Sequence, residues 1–106
     1  MVREVDQSQF ADAHDRGRLV VDVRESAEYA DGHVPGARSI PLAALAGQAS
    51  RLPAGEPVYV ICASGNRSKV GAELLTRAGL DAYTVAGGTH GWIESGRPVA
   101  TGSAPA

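Results

Sequence analysis

The residues with the clearest chemical potential surround the only cysteine of the chain. Cys62 follows an apolar run at positions 58–61 and opens a loop of small and polar residues, which are Cys62, Ala63, Ser64, Gly65, Asn66, Arg67 and Ser68. A loop of small residues around a glycine can turn successive backbone N–H groups inward, and at the start of a helix such a nest binds anions. Cys62 would place its sulfur in that nest.

A thiolate at Cys62 needs more stabilisation than a helix terminus alone supplies. A free thiol has a pKa of about 8.5, so making the thiolate dominant at pH 7 takes about 2–3 kcal/mol. A helix N-terminus contributes about 0.3–1 kcal/mol at an exposed site. Convergent N–H donors, with Arg67 and the Ser68 hydroxyl nearby, can supply the remainder. We therefore predict a nucleophilic thiolate, against the alternative that Cys62 is a small, inert core residue.

Other polar residues are expected to support this loop. Asp22 follows a short apolar run and is expected to act as a scaffold, either orienting Arg67 or capping the next turn. Arg24 and Glu28 are expected to form a local ion pair, which contributes little on an exposed surface. The histidines at positions 14, 33 and 90 lack the spacing of metal ligands, so no metal site is predicted.

Strands and helices alternate along the sequence. Runs rich in Val and Ile predict buried strands at 19–21, 39–40, 58–61 and 82–85. Helical spacing appears at 42–52 and on a second apolar face that consists of Val70, Leu74, Leu75 and Ala78. The second helix should end at Gly79. A last helix, anchored by Trp92 and Ile93, should follow Gly87 and Gly88, where the backbone is expected to pass close to its neighbours.

This alternation is typical of an α/β domain with a mainly parallel sheet and helices on both faces. In open α/β sheets, ligands bind at the carboxyl ends of the strands. Because position 62 directly follows the strand predicted at 58–61, the cysteine is expected at that edge of the sheet.

The composition of the whole chain narrows the possible functions. Its 106 residues support one small domain, predicted to span residues 1–100 and to be followed by a flexible tail at 101–106. The single cysteine excludes a disulfide scaffold and a Cys-rich zinc site, and a free thiol favours a reducing compartment, the cytoplasm. A net charge of −2 with mixed signs provides no basic stripe, and no apolar run approaches membrane-spanning length. We expect neither nucleic acid nor a membrane as a partner.

Four motifs, taken in order, resemble those of the single-domain rhodaneses, the thiosulfate:cyanide sulfurtransferase family. They are Asp22-Val23-Arg24 with Glu28-Tyr29, the Gly-His-Val-Pro-Gly-Ala-Arg-Ser-Ile-Pro segment at 32–41, the loop at 62–68, and Gly-Gly-Thr-His-Gly-Trp at 87–92. The resemblance covers nearly the whole chain. It implies a three-layer α/β fold with a central, mainly parallel five-stranded sheet, and a structural role for His33.

The resemblance also implies a two-step covalent reaction at Cys62. The thiolate would take the outer sulfur of thiosulfate or a persulfide donor, hold it as a persulfide, and pass it to an acceptor. That acceptor would be cyanide in an assay and a thiol in the cell, such as that of a thioredoxin-like or sulfur-relay protein. The loop residues 63–68 would bind the substrate and stabilise its charge. No metal, nucleotide or organic cofactor is implied.

Three other functions stay open at this point. A persulfide carrier would receive sulfur from a partner such as a cysteine desulfurase. The scarcity of lysine counts against thiosulfate as the donor, because only Lys69 lies near the loop and a dianionic donor benefits from local cations. Phosphatase or arsenate reductase chemistry is less favoured, since phosphatases on this fold place five residues between their Cys and Arg and four separate Cys62 from Arg67. An intact cysteine and loop count against a non-catalytic interaction domain.

Overall fold

A computed structural model describes residues 2–106 of the chain. It contains one sheet of five strands, which are β1 (Arg3–Val5), β2 (Leu19–Asp22), β3 (Arg38–Ser39), β4 (Pro57–Ile61) and β5 (Asp81–Val85). The strand order is β1-β5-β4-β2-β3, and every pairing is parallel. The prediction of an α/β domain with a parallel five-stranded sheet is confirmed.

Helices cover both faces of this sheet. They are α1 (Gln7–Asp15), α2 (Ser26–Asp31), α3 (Leu42–Gln48), α4 (Asn66–Arg77) and α5 (Gly88–Glu94), and a 3-10 turn at Ala49–Arg51 extends α3. Buried residues of α3 and α4 share one core cluster, whereas those of α1, α2 and α5 share the other. The expected three layers are therefore present. Within residues 2–106, no helix combines the length and the apolar character needed to cross a bilayer.

The central strand β4 is packed on both faces, which holds its carboxyl end in place. Successive side chains of a strand point to opposite faces. Val58 and Val60 accordingly lie in the core cluster with Leu75 of α4, whereas Ile61 lies in the opposite cluster with Trp92 of α5. Burying one such apolar side chain contributes about 1.5–3 kcal/mol. The residue after β4, Cys62, is consequently attached to a strand that is packed on both faces.

Three apolar residues that we predicted to lie on buried helix faces are exposed instead, and Ala78 is one of them. Val70 of α4 is 56% exposed and Ile93 of α5 is 50% exposed, whereas Trp92 is buried as expected. The face of α4 that meets the sheet is formed around Gly71, where an added Cβ would lie only 3.1 Å from a Val60 methyl group. Because adjacent residues of a helix point in different directions, Val70 lies off this face.

The C-terminal segment is hydrogen-bonded to the turn around residues 30–36. The Gly102 N–H donates to the Ala30 carbonyl at 2.8 Å, and the Gly36 N–H donates to the Pro105 carbonyl at 3.0 Å. The buried His33 ring also lies 3.0 Å from the Pro105 carbonyl through Nε2. Flexibility of residues 101–106, and the domain boundary at 100, stay predictions.

Candidate active site

The thiol of Cys62 lies in a closed loop between β4 and α4. Its Sγ accepts the Gly65 N–H at 3.1 Å and lies 3.4 Å from the Ser68 hydroxyl. Gly65 is the residue before the first turn of α4 and has a φ of 116°, a left-handed conformation that L side chains rarely adopt. The glycine thus lets the chain turn back over the sulfur, and Cys62 is only 1% exposed.

The surroundings of Cys62 favour the thiolate. Burial raises the pKa of the Cys62 thiol, but hydrogen bonds from the Ser68 hydroxyl and from the backbone N–H groups of Ser68, Gly65 and Ser64 outweigh it. The pKa of the thiol therefore lies below its ordinary value. Because the thiolate is the nucleophilic form of cysteine, the lowered pKa increases the fraction of Cys62 that is nucleophilic at a given pH.

The Ser68 hydroxyl also contacts a second hydroxyl group, that of Thr84. The Oγ of Ser68 and the Oγ1 of Thr84 are 2.7 Å apart, and both residues are buried. Thr84 belongs to β5, the neighbour of β4 in the sheet. Sequence reasoning missed it because a threonine inside a strand reads as an ordinary β-former.

The backbone of the loop is tied to the start of α5. The carbonyl oxygens of Cys62 and Ala63 accept the N–H groups of Thr89 and His90 at 2.8 and 3.0 Å. Gly88 makes this approach possible, since a Cβ on it would lie 2.4 Å from the Cys62 carbonyl oxygen. The predicted close approach at the glycine pair therefore occurs at Gly88.

Asp22 and Arg24 form a buried ion pair beside the loop. The guanidinium of Arg24 donates to both carboxylate oxygens of Asp22 at 2.8–3.1 Å and to the Gly32 carbonyl at 2.9 Å. Asp22 also accepts the Arg24 backbone N–H at 3.0 Å. The prediction of an Arg24–Glu28 pair is wrong, because the carboxylate two residues away satisfies the guanidinium inside the core. Asp22 therefore caps this turn and does not bind Arg67.

Arg67 is bound by Glu28, which lies 39 residues earlier in the chain. The two side chains form a bidentate pair with N–O distances of 2.6 and 2.9 Å. The hydrogen bond from Arg67 lowers the pKa of Glu28 to about 2, and the same contact raises the pKa of Arg67. The charge of the arginine at the end of the loop is consequently compensated.

An open groove of about 260 Å³ lies beside the loop. It is lined by Arg24, Glu28, Asp31, Gly32, Ala63, His90 and Ile93. Among the predicted loop residues, Gly65 and Ser68 are buried against the sulfur, Ala63 borders the groove, and Ser64 and Asn66 are exposed. In residues 2–106, no three His, Cys, Asp or Glu side chains converge as a metal site would require.

Comparisons with known proteins agree with this geometry. A sequence model described as "Rhodanese-like domain" matches residues 6–95. The uncharacterized protein YqhL of Bacillus subtilis is 31% identical over 93 residues, which are 87% of this chain and 73% of that protein. The putative sulfur carrier protein YrkF of the same organism is 37% identical over 65 residues, which are 61% of this chain and only 35% of YrkF.

Solved structures show the same likeness over almost the full length. A rhodanese-related protein from Thermoplasma volcanium superposes with a TM-score of 0.87 at 33% identity, covering 94% of this chain and 99% of that one. Thiosulfate sulfurtransferase from Pseudomonas aeruginosa superposes with a TM-score of 0.84 at 29% identity, covering 98% of this chain but 20% of that one. Since the family model spans most of the chain and the fold agrees throughout, this protein belongs to the rhodanese-like domain family.

Proposed function

We propose that this domain transfers sulfane sulfur through a persulfide on Cys62. The observation that carries the proposal is the position of Sγ, buried under the Gly65 N–H at 3.1 Å with the Ser68 hydroxyl beside it. Hydrogen-bond donors fixed around a sulfur stabilise negative charge on it without reorganising during the reaction. Family membership supports the same chemistry.

The proposed reaction has two displacement steps. In the first, the Cys62 thiolate attacks the outer sulfur of the donor, the donor S–S bond breaks, and the leaving group departs with the electron pair. In the second, an acceptor nucleophile attacks the outer sulfur of the persulfide and the Cys62 thiolate is regenerated. Because this domain has a single cysteine, the acceptor thiol must come from outside the domain. We propose a thioredoxin-like or sulfur-relay protein for this role, working in the reducing cytoplasm.

The charges around the loop favour a persulfide donor, and hence a carrier role, over thiosulfate. The guanidinium groups of Arg67 and Arg24 are bound by Glu28 and Asp22 respectively. A dianionic donor therefore meets compensated arginines at the loop, whereas a persulfide brings a single charge. The name of the relative YrkF describes a sulfur carrier, which supports the same choice. Phosphate esters are disfavoured on the same grounds, since they too bring two charges.

Mass spectrometry of the intact protein tests this proposal. The reduced protein is incubated with either thiosulfate or cysteine persulfide, whose net charge is a single negative one, examined for one added sulfur atom, and then mixed with cyanide to release thiocyanate. We expect faster sulfur uptake from the persulfide, and no uptake by Cys62→Ser. Faster uptake from thiosulfate would contradict the carrier assignment, and no uptake from either donor would contradict sulfur transfer.

A further inference from the structure

We propose that Thr84 is a positioning residue that stabilises the Cys62 thiolate through the Ser68 hydroxyl. The three side chains form a continuous line, with 3.4 Å between Cys62 Sγ and Ser68 Oγ and 2.7 Å between Ser68 Oγ and Thr84 Oγ1. They come from three elements, namely the loop after β4, the first turn of α4, and β5.

The number of protons that each group can donate sets the direction of these hydrogen bonds. A serine hydroxyl carries one proton, and a thiolate can only accept. When Cys62 is ionised, Ser68 must donate its proton to the sulfur, so the 2.7 Å contact can persist only if Thr84 donates to Ser68. Ionisation of Cys62 thus aligns both hydroxyl groups toward the sulfur. A donor that is itself a hydrogen-bond acceptor binds an anion more strongly, because the two bonds polarise each other.

Burial makes this alignment effective. Cys62, Ser68 and Thr84 are 1%, 0% and 1% exposed, so water does not compete for the hydroxyl groups. In such surroundings, a hydrogen bond to a charged group is stronger than one to a neutral group. The contribution of Thr84 should therefore fall mainly on the thiolate.

The relevance of Thr84 to sulfur transfer depends on the function proposed above, but its effect on the thiol is measurable without any sulfur donor. We would titrate the ultraviolet absorbance of the thiolate in the reduced protein and subtract a Cys62→Ser blank. Since the chain has one cysteine, the signal reports Cys62 alone.

In Thr84→Val, which keeps the shape and removes the hydroxyl, we expect the thiolate-to-thiol ratio at pH 7 to fall about three- to tenfold. Thr84→Ser should restore the ratio to within about twofold of the unmodified protein, because it restores the donor. Thr84→Ala provides a second test if the valine variant does not fold.

Thr89 offers a matched control. It is also a buried threonine, 1% exposed, and its backbone is bound to the Cys62 carbonyl, yet its hydroxyl has no hydrogen-bond partner among the described residues. Thr89→Val should leave the titration unchanged. An unshifted titration in Thr84→Val, or an equal shift in Thr89→Val, would overturn the assignment. If the titrations behave as expected while no donor loads Cys62, sulfur transfer fails and the role of Thr84 in acidity stands.

Discussion

Gly88 controls how closely α5 approaches the loop that carries Cys62, and Gly88→Ala tests this contact. An alanine Cβ at this position would lie 2.4 Å from the Cys62 carbonyl oxygen and 2.6 Å from that of Ala63. Real Cβ contacts essentially never fall below 3.0 Å, and both neighbours are backbone atoms that cannot rotate aside. The helix and the loop must therefore move apart.

Two costs contribute to the expected loss of stability. The left-handed φ of 56° costs about 1–2 kcal/mol for a residue with a Cβ. Separation also lengthens the bonds from the Thr89 and His90 N–H groups, and each bond contributes about 0.5–1.5 kcal/mol. We expect Gly88→Ala to lower the free energy of unfolding by about 2–5 kcal/mol, a large part of the stability of an ordinary domain.

Gly17→Ala separates the two costs. Gly17 has a comparable φ of 73°, but nothing lies within 4 Å of the position its Cβ would take, so only the conformational cost of about 1–2 kcal/mol applies. Urea unfolding followed by the fluorescence of Trp92, the single tryptophan, measures both variants. If Gly88→Ala is no less stable than Gly17→Ala, the close approach at Gly88 does not hold the loop.

Two ion pairs give further predictions. Asp22→Asn leaves the Arg24 guanidinium buried at 6% exposure without its carboxylate, so we expect a loss of about 3 kcal/mol in urea unfolding; a loss below about 1 kcal/mol would contradict this role. Glu28→Gln should cost only about 0.5–1 kcal/mol at pH 7, because Glu28 and Arg67 are both more than a third exposed. Since folding lowers the pKa of Glu28 from 4.5 to about 2, its stabilisation is complete above pH 4.5 and is lost as the pH falls toward 2. Urea unfolding from pH 7 down to pH 3 should show the difference from the unmodified protein shrinking, and a constant difference would refute the ion pair.

The central strands were readable from the sequence, whereas the edge strand β1 was not. In β4, Val58 and Val60 are buried on one face of the sheet and Ile61 on the other. A strand that is buried on both faces appears in the sequence as an unbroken apolar run. By contrast, β1 is three residues long, and its first two residues, Arg3 and Glu4, are exposed. A strand of three residues is too short to show an alternation of apolar and polar positions. Its place in the sheet is set by pairing with β5 alone, which the sequence does not reveal.

The nucleophile and its loop were also readable, but the partners of its charged residues were not. Cys62, Gly65 and Ser68 are close in sequence, so their local geometry follows from the turn at the start of α4. The Arg67–Glu28 pair joins residues 39 positions apart, and only the fold brings them together. To predict which carboxylate pairs with a given arginine, one must know how deeply both side chains are buried and how far apart they lie. A single sequence does not contain this information.

The burial of Cys62 bears on the regiochemistry of any persulfide formed there. A persulfide has two electrophilic sulfur atoms. Attack on the outer one transfers that sulfur and releases the Cys62 thiolate, whereas attack on the inner one expels hydrosulfide and leaves the acceptor trapped as a mixed disulfide. The inner atom would be Sγ, which is enclosed by Gly65 and Ser68 in a residue 1% exposed, and the added sulfur would extend about 2 Å beyond it. A protein-sized thiol would therefore meet the transferable atom first. The loop whose hydroxyl and N–H groups lower the pKa of the Cys62 thiol would also shield Sγ, and would so protect the domain from covalent capture by its own acceptor.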